Sequence, residues 1–300
     1  MDPQFDTSAS AGAAECRPRS HAGEGRSGHR FSKVPEVTAY FWIVKALTTG
    51  MGESTSDFLV HHLVPEIAVV LGGIAFVIAL YIQFSKDRYV PWAYWLAVAM
   101  VGVFGTMAAD VLHVGLGVPY IASTVFYAIV LAVVFRTWYV SEGTLSIHSI
   151  RTPRREMFYW AAVLATFALG TAAGDLTAVT FGLGFFASGL LFAAVIAIPA
   201  LGYWRYGMNS ILAFWFAYVV TRPLGASFAD WLAVSSERGG LGIGTGLVSF
   251  VLAAMIAGFV VYLSATGKDT PEEARAPRHP HEHARPVRVI TDPDLAPEEA

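Results

Sequence analysis

The feature that most constrains this chain is a succession of apolar stretches, each about 20 residues long. They lie near 36–60, 63–84, 90–113, 117–140, 156–178, 181–204, 210–233 and 241–265. Each is long enough to cross roughly 30 Å of hydrocarbon. A backbone in hydrocarbon must satisfy its own hydrogen bonds, which leaves helices or a closed barrel. The runs are continuous rather than alternating, and that excludes the barrel. Composition agrees, since 55% of residues are apolar and only 14% are charged, against about 25% charged in a soluble domain. The expected class is therefore an all-α polytopic membrane protein of about eight transmembrane helices, in contact with the lipid bilayer.

Charges gather in two tails and a few short loops. Residues 1–33 are rich in Ser, Gly, Ala and Arg without apolar periodicity, and 266–300 turn polar again. Both read as disordered segments flanking a transmembrane domain at 34–265. One set of helix ends carries Arg30, Lys33, Lys86, Arg88, Arg136, Arg151, Arg154, Arg155, Arg205 and Lys268, while the opposite set carries Arg238 alone. The positive-inside rule then assigns both termini to the cytoplasm. The net charge of −3 gives no reason to expect nucleic acid, and Cys16, the single cysteine, rules out an intrachain disulfide or a cysteine-built metal site.

An internal repeat carries the functional information. Four segments align without a gap: FWIVKALTTGMGESTSD (41–57), YWLAVAMVGVFGTMAAD (94–110), YWAAVLATFALGTAAGD (159–175) and FWFAYVVTRPLGASFAD (214–230). The pattern is (F/Y)W-x9-G-x4-D, registering Trp42, Trp95, Trp160 and Trp215; Gly52, Gly105, Gly170 and Gly225; and Asp57, Asp110, Asp175 and Asp230. The unit is a two-helix hairpin used four times (about 34–85, 90–140, 155–205 and 210–265), or a four-helix half used twice. Two crossings per unit make the copies parallel, related by an axis along the membrane normal. Glycine pairs at Gly115–Gly117, Gly182–Gly184 and Gly240–Gly242 mark tight hairpin connections, while the first unit has His61, His62, Pro65 and Glu66 there.

Each repeated residue suggests a role. The Trp suits the headgroup boundary as an anchor, and the Gly permits close helix–helix approach. The Asp is costly in hydrocarbon unless it meets water, a partner or an ion. It lies about 22 Å along the helix from its Trp, so four copies can gather near one axis at the outer side. Clustered carboxylates need a cation or shared protons. The first copy adds Lys45, Thr48, Thr49, Glu53 and Ser56, and the fourth adds Arg222-Pro223, expected to kink its helix. Lys45 and Arg222 are expected to neutralise two acids and tune the charge, with Thr48, Thr49 and Ser56 supplying neutral oxygens.

Asp57, Asp110, Asp175, Asp230 and Glu53 thus form the expected ion-binding set. Oxygen ligands favour hard or borderline divalent ions, and His61, His62 and His113 extend the range towards Ni²⁺, Co²⁺ or Zn²⁺. The tract His279-Pro280-His281-Glu282-His283 is a weak metal-collecting signal. No nucleotide-binding, hydrolase or zincin motif is present, so enzymatic activity is not expected. Lys45 lies in the first helix rather than a late one, which argues against a retinal Schiff base.

The stretch KVPEVTAYFWIVKALTTGMGESTSDFLV (33–60), the YW…GTxxxD copies and 214–230 resemble a family of bacterial multi-pass, membrane-anchored proteins of uncharacterised activity. The likeness spans about 34–265 and implies a bacterial inner-membrane location and repeated hairpins, with no activity to carry over. The leading expectation is a cation transporter or channel with no covalent cofactor. Its cargo would be a bound divalent cation, Mn²⁺ first, with export as the favoured direction and proton exchange as the coupling. A membrane scaffold or sensor, and an anion or organic-solute carrier using Lys45 and Arg222, are the alternatives.

Overall fold

The computed structural model describes residues 31–271. Most of both expected tails, with Cys16 and the histidine tract at 279–283, lies outside the described residues. The described residues form eight α-helices: α1 (Ala39–His62), α2 (Pro65–Phe84), α3 (Pro91–Asp110), α4 (Tyr120–Glu142), α5 (Pro153–Asp175), α6 (Gly184–Tyr206), α7 (Ser210–Ala233) and α8 (Thr245–Thr266). No strand occurs among the described residues.

Local chemistry sets the helix ends. Proline occupies the first position of α2, α3 and α5, where its missing N–H costs nothing. The Asn209 side chain caps α7 by accepting from the N–H groups of Ile211 (2.9 Å) and Leu212 (3.3 Å). Gly143 and Gly207 close α4 and α6 at positive φ, a conformation that penalises any side chain. After Asp110 and Asp175 the helix widens into one π turn, over Val111–Gly115 and Leu176–Thr180.

Among the described residues, seven helices are long and apolar enough to cross a membrane. The eighth, α1, has the length, but Lys45, Glu53, Asp57 and a run of Thr, Ser and Gly lower its apolarity. Eight spans were expected from the sequence, and α1 is where the apolarity criterion stops short.

Helices α1, α3, α5 and α7 form an inner ring in which each packs on its two neighbours and α7 closes back on α1. The other four lie outside. Each outer helix packs chiefly on the inner helix of the following repeat: α2 on α3, α4 on α5, α6 on α7, and α8 on α1. The repeated glycines set this geometry. A methyl group added at Gly52 would meet the Gly102 backbone at 2.7 Å, and one at Gly105 would meet Phe167 Cβ at 2.7 Å. At Gly170 it would meet Arg222 Cβ at 2.6 Å, and at Gly225, Thr49 Cβ at 2.8 Å. In every case the neighbour stands three residues before the glycine of the next copy. One contact at the same offset on all four seams requires parallel inner helices in one register.

Three of the four repeated Trp residues are not lipid-facing anchors, while Trp42 is half-buried. Trp95, Trp160 and Trp215 are buried and join Phe41, Tyr94, Tyr159, Phe214 and Tyr218 in an aromatic layer across the ring. They point inwards because they lie on the inner helices. The exposed Trp and Tyr residues at that end are instead Tyr81, Trp92, Tyr139, Tyr203, Trp204, Tyr206 and Tyr262, all but Trp92 near the ends of outer helices.

Below this layer the first described residues are laced into the bundle. Lys33 Nζ donates to Glu156 Oε2 (2.7 Å) and to the Phe84 carbonyl (3.2 Å), and Gln83 Nε2 donates to Glu156 Oε1 (3.1 Å). Main-chain bonds join Lys33 to Ile150, Tyr89 to Ser32 and Glu36 to Asp269. The Tyr89 hydroxyl donates to Asp269. Burial and the adjacent Asp269 charge push the Tyr89 hydroxyl well above its usual range. Ser32, Lys33 and Asp269 are therefore buried, and ordered chain extends a few residues past the tail boundaries expected at 33 and 266.

Candidate functional site

Along an α-helix, residues four apart share a face. Counting back from each repeated Asp in steps of four gives Lys45-Thr49-Glu53-Asp57 on α1 and Val98-Gly102-Thr106-Asp110 on α3. On α5 and α7 it gives Val163-Phe167-Thr171-Asp175 and Tyr218-Arg222-Ala226-Asp230. These four stripes carry the polar groups that the inner ring encloses.

Arg222 is fully buried at its centre. Its Nη2 donates to Glu53 Oε2 (2.5 Å) on α1, to Thr171 Oγ1 (2.8 Å) on α5 and to Thr106 Oγ1 on α3. Nη1 donates to the Thr49 carbonyl (3.2 Å). One side chain of α7 thereby joins all four inner helices. The missing Cβ of Gly170 makes room for its stem. Pro223 follows within α7, which nevertheless runs unbroken over Ser210–Ala233.

Towards the aromatic layer stands Lys45, 1% exposed. It was expected to pair with an acid and does not. Its Nζ has no hydrogen-bond acceptor and lies 3.9 Å from the Phe167 ring centre and 4.0 Å from that of Tyr218. Arg222 lies over the same Phe167 ring, 5.2 Å from its centre. Glu53, the acid two turns along the same stripe, is taken by Arg222, and the Lys45 Nζ is left against the faces of two rings.

On the other side of Arg222 the four acids gather. Asp57, Asp110 and Asp175 are half-buried and Asp230 is buried. Each lies close enough to Glu53 and Arg222 to act on their charge, and Asp110, Asp175 and Asp230 all act on or feel Asp57 as well. Among the described residues, no group of three or more His, Cys, Asp or Glu side chains is arranged to hold a metal ion.

Of the other expected site residues, Thr48 and Thr49 spend their hydroxyl protons on the carbonyls of Lys45 (2.8 Å) and Ala46 (2.6 Å). Ser56 is buried without a partner, as are Ser54 and Ser227 at equivalent positions of copies one and four. His61 and His62 are exposed, each with Nδ1 against a carbonyl of its own helix, Asp57 (2.6 Å) and Phe58 (2.8 Å). A carbonyl only accepts, so Nδ1 carries the proton in both. His113 bonds the Val118 carbonyl (2.6 Å) and stacks on Tyr120. All three histidines finish helix ends.

Thr106, Thr171, Phe167 and Tyr218 were missed in the sequence. Their signal was the four-residue stripe, which places them at the positions of Glu53, Thr49 and Lys45 in other copies. A separate cavity of about 700 Å³ is lined by apolar side chains of α1, α6 and α7 together with Glu36, Leu145, Ile147 and His148. It does not include the axial residues Arg222, Glu53 or Lys45.

Comparison with curated proteins and with solved structures found no match. Four consecutive segments, 40–89, 93–144, 158–209 and 213–269, match a family described as a repeat of unknown function (DUF347). With its four hairpins coinciding with four copies of that repeat over most of its length, the chain belongs to the DUF347 family.

Proposed function

We propose that this protein spans a bacterial inner membrane with both termini cytoplasmic and moves a cation along the axis of its inner ring. The observation that supports this reading is that an acid from each of four helices lies within electrostatic reach of one buried Arg222–Glu53 pair. Basic residues and exposed aromatics share one end of the bundle, and the carboxylates gather towards the other. A cation entering from the acidic side meets a half-buried ring of aspartates, then the ion pair, then Lys45 and the aromatic layer. The closed axis favours a gated transporter over an open channel, with Arg222 as the group that must move.

The donors give Mn²⁺ no advantage over other cations, because three acids do not close on one point. Asp57, Asp110, Asp175 and Asp230 act in this reading as an attracting and proton-sharing ring. The anion reading draws little support, since Arg222 is already paired and Lys45 is enclosed by rings. The scaffold reading draws on the same Arg222 network, which ties four helices together whether or not anything passes.

Flux in proteoliposomes separates these readings, with Na⁺, K⁺, Mn²⁺, Ca²⁺, Ni²⁺, Zn²⁺ and a proton dye run in parallel. Wild type should carry at least one cation, and the fourfold Asp→Asn variant (57, 110, 175, 230) should lose that flux while remaining folded. A folded wild type that moves no cation overturns the proposal and leaves the scaffold.

A further inference from the structure

The Nη2 atom of Arg222 occupies a position with the character of an ion site. Three oxygens from three helices converge on it: Glu53 Oε2 at 2.5 Å, Thr171 Oγ1 at 2.8 Å and Thr106 Oγ1. Both hydroxyls have carbonyls of their own helices within reach for their protons, Gly102 (3.0 Å) for Thr106 and Phe167 (3.2 Å) for Thr171. Their lone pairs are thereby turned inwards as acceptors. The Thr49 carbonyl, which accepts from the neighbouring Nη1 (3.2 Å), adds one more oxygen beside this oxygen-only set. Such oxygens suit hard cations.

We infer that the Arg222 guanidinium is a tethered occupant of a monovalent-cation seat built by Glu53, Thr106, Thr171 and the Thr49 carbonyl. This rests on the transport reading and names its cargo as a small monovalent cation, such as Na⁺ or K⁺. Charge decides the valence. The seat holds one carboxylate, so one positive charge leaves it neutral. A divalent ion would leave one positive charge uncompensated in a buried space.

The occupant is built to leave. Its Nε is buried and finds no partner, so the seat does not satisfy the whole guanidinium. A second place for the charge lies nearby, because Asp57, Asp110, Asp175 and Asp230 are all within electrostatic reach of Arg222. Swinging the guanidinium to that ring exposes Glu53 to an incoming cation. One positive charge replaces another, so the seat stays neutral throughout the exchange.

The test is thermal unfolding of the full-length Arg222→Ala chain in detergent at constant ionic strength. The salts compared are the chlorides of sodium, potassium, manganese(II) and N-methyl-D-glucamine, a cation too bulky for the seat. In the bulky salt the variant should melt on the order of 10 °C below wild type, since removing one partner strands a buried carboxylate. Sodium or potassium should restore about half of that loss saturably, and adding Glu53→Gln should abolish the restoration. Equal melting in all salts, or restoration by manganese alone, overturns the inference. Should Arg222→Ala not fold in any salt, Arg222→Met, which refills the space of the stem, repeats the measurement. Failure of both in every salt means only Arg222 can fill the seat, and the inference falls. Monovalent restoration without any flux in wild type keeps the seat and removes the transport reading; flux without restoration does the reverse.

Discussion

Replacing Gly52 by alanine tests the frame on which the axial site depends. The added methyl carbon would stand 2.7 Å from the Gly102 carbonyl carbon, 2.8 Å from its Cα and 3.1 Å from its oxygen. All three are backbone atoms, which cannot rotate away. Carbon atoms are comfortable at about 3.5 Å, so α1 and α3 must part by roughly 0.8 Å. Overpacking of this kind costs about 1–3 kcal/mol. Alanine also gains up to about 1 kcal/mol over glycine in helix propensity, which would mask part of the loss. Gly258 of α8 supplies the control, because a methyl group there meets nothing within 4 Å. Subtracting Gly258→Ala from Gly52→Ala removes the propensity gain and leaves the clash. The two melting temperatures, followed by loss of the monodisperse peak in detergent, should differ by on the order of 5 °C. Equal melting would refute the claim that backbone contact at this glycine sets the α1–α3 distance.

Two other perturbations address the laced end of the bundle. Glu156→Met or Lys33→Met alone should each cost about 3–5 kcal/mol, because the Lys33–Glu156 pair is buried and the survivor keeps an uncompensated charge. The double Lys33→Met/Glu156→Met variant should recover most of that loss, and a thermal-unfolding cycle over the four proteins checks it; additive losses would refute it. Tyr89→Phe removes a donor to the buried Asp269 carboxylate and should cost about 1.5–3 kcal/mol at neutral pH. The Tyr89 hydroxyl is raised by burial and by Asp269, so its stabilisation is present below the usual tyrosine value of about 10 and fades as pH rises beyond it. Wild type should lose stability above about pH 10 more steeply than Tyr89→Phe, as melting curves from pH 8 to 11 would register.

The helices were legible because apolar length and proline, asparagine and glycine punctuation are local signals. The stretch read as 63–84 forms α2 at Pro65–Phe84, and that read as 210–233 forms α7 with the same bounds. The glycine in each copy was legible for the same reason, as four small residues in register. What failed required knowing which face of each helix looks inwards. Trp95, Trp160 and Trp215 were read as lipid anchors because Trp favours headgroups, yet they lie on inner helices. Lys45 was assigned an acid, although Glu53, two turns along the same stripe, is claimed by Arg222 from another helix. The partner of a buried charge is a long-range fact, here separated by 169 positions in the chain. The stripe itself was present in the sequence, because the Asp of each copy and the residues four, eight and twelve before it form one row that winds slowly round the helix.

That stripe explains why four copies belong in one chain. The glycine must be the same in all copies, since each seam uses the same contact. The two axial positions at the buried middle of the stripes, four and eight residues before the shared Asp, cannot be the same. A ring of four identical hairpins carrying Arg222 would bury four guanidinium groups at one point, and four copies of Glu53 would bury four carboxylates; either is prohibitive without counterions. Fusing the copies allows one position to read Thr49, Gly102, Phe167 and Arg222 around the ring, and the next to read Glu53, Thr106, Thr171 and Ala226. One cation then faces one anion and two hydroxyls, with Gly102 giving space for the α1 backbone and Phe167 roofing the pair. The symmetric residues build the cylinder, and the unlike residues at symmetric positions give its axis a single neutral pair. Restoring symmetry at one of these positions, as Ala226→Glu would, adds a second buried carboxylate beside Glu53 and should prevent folding unless Phe167→Arg supplies its partner.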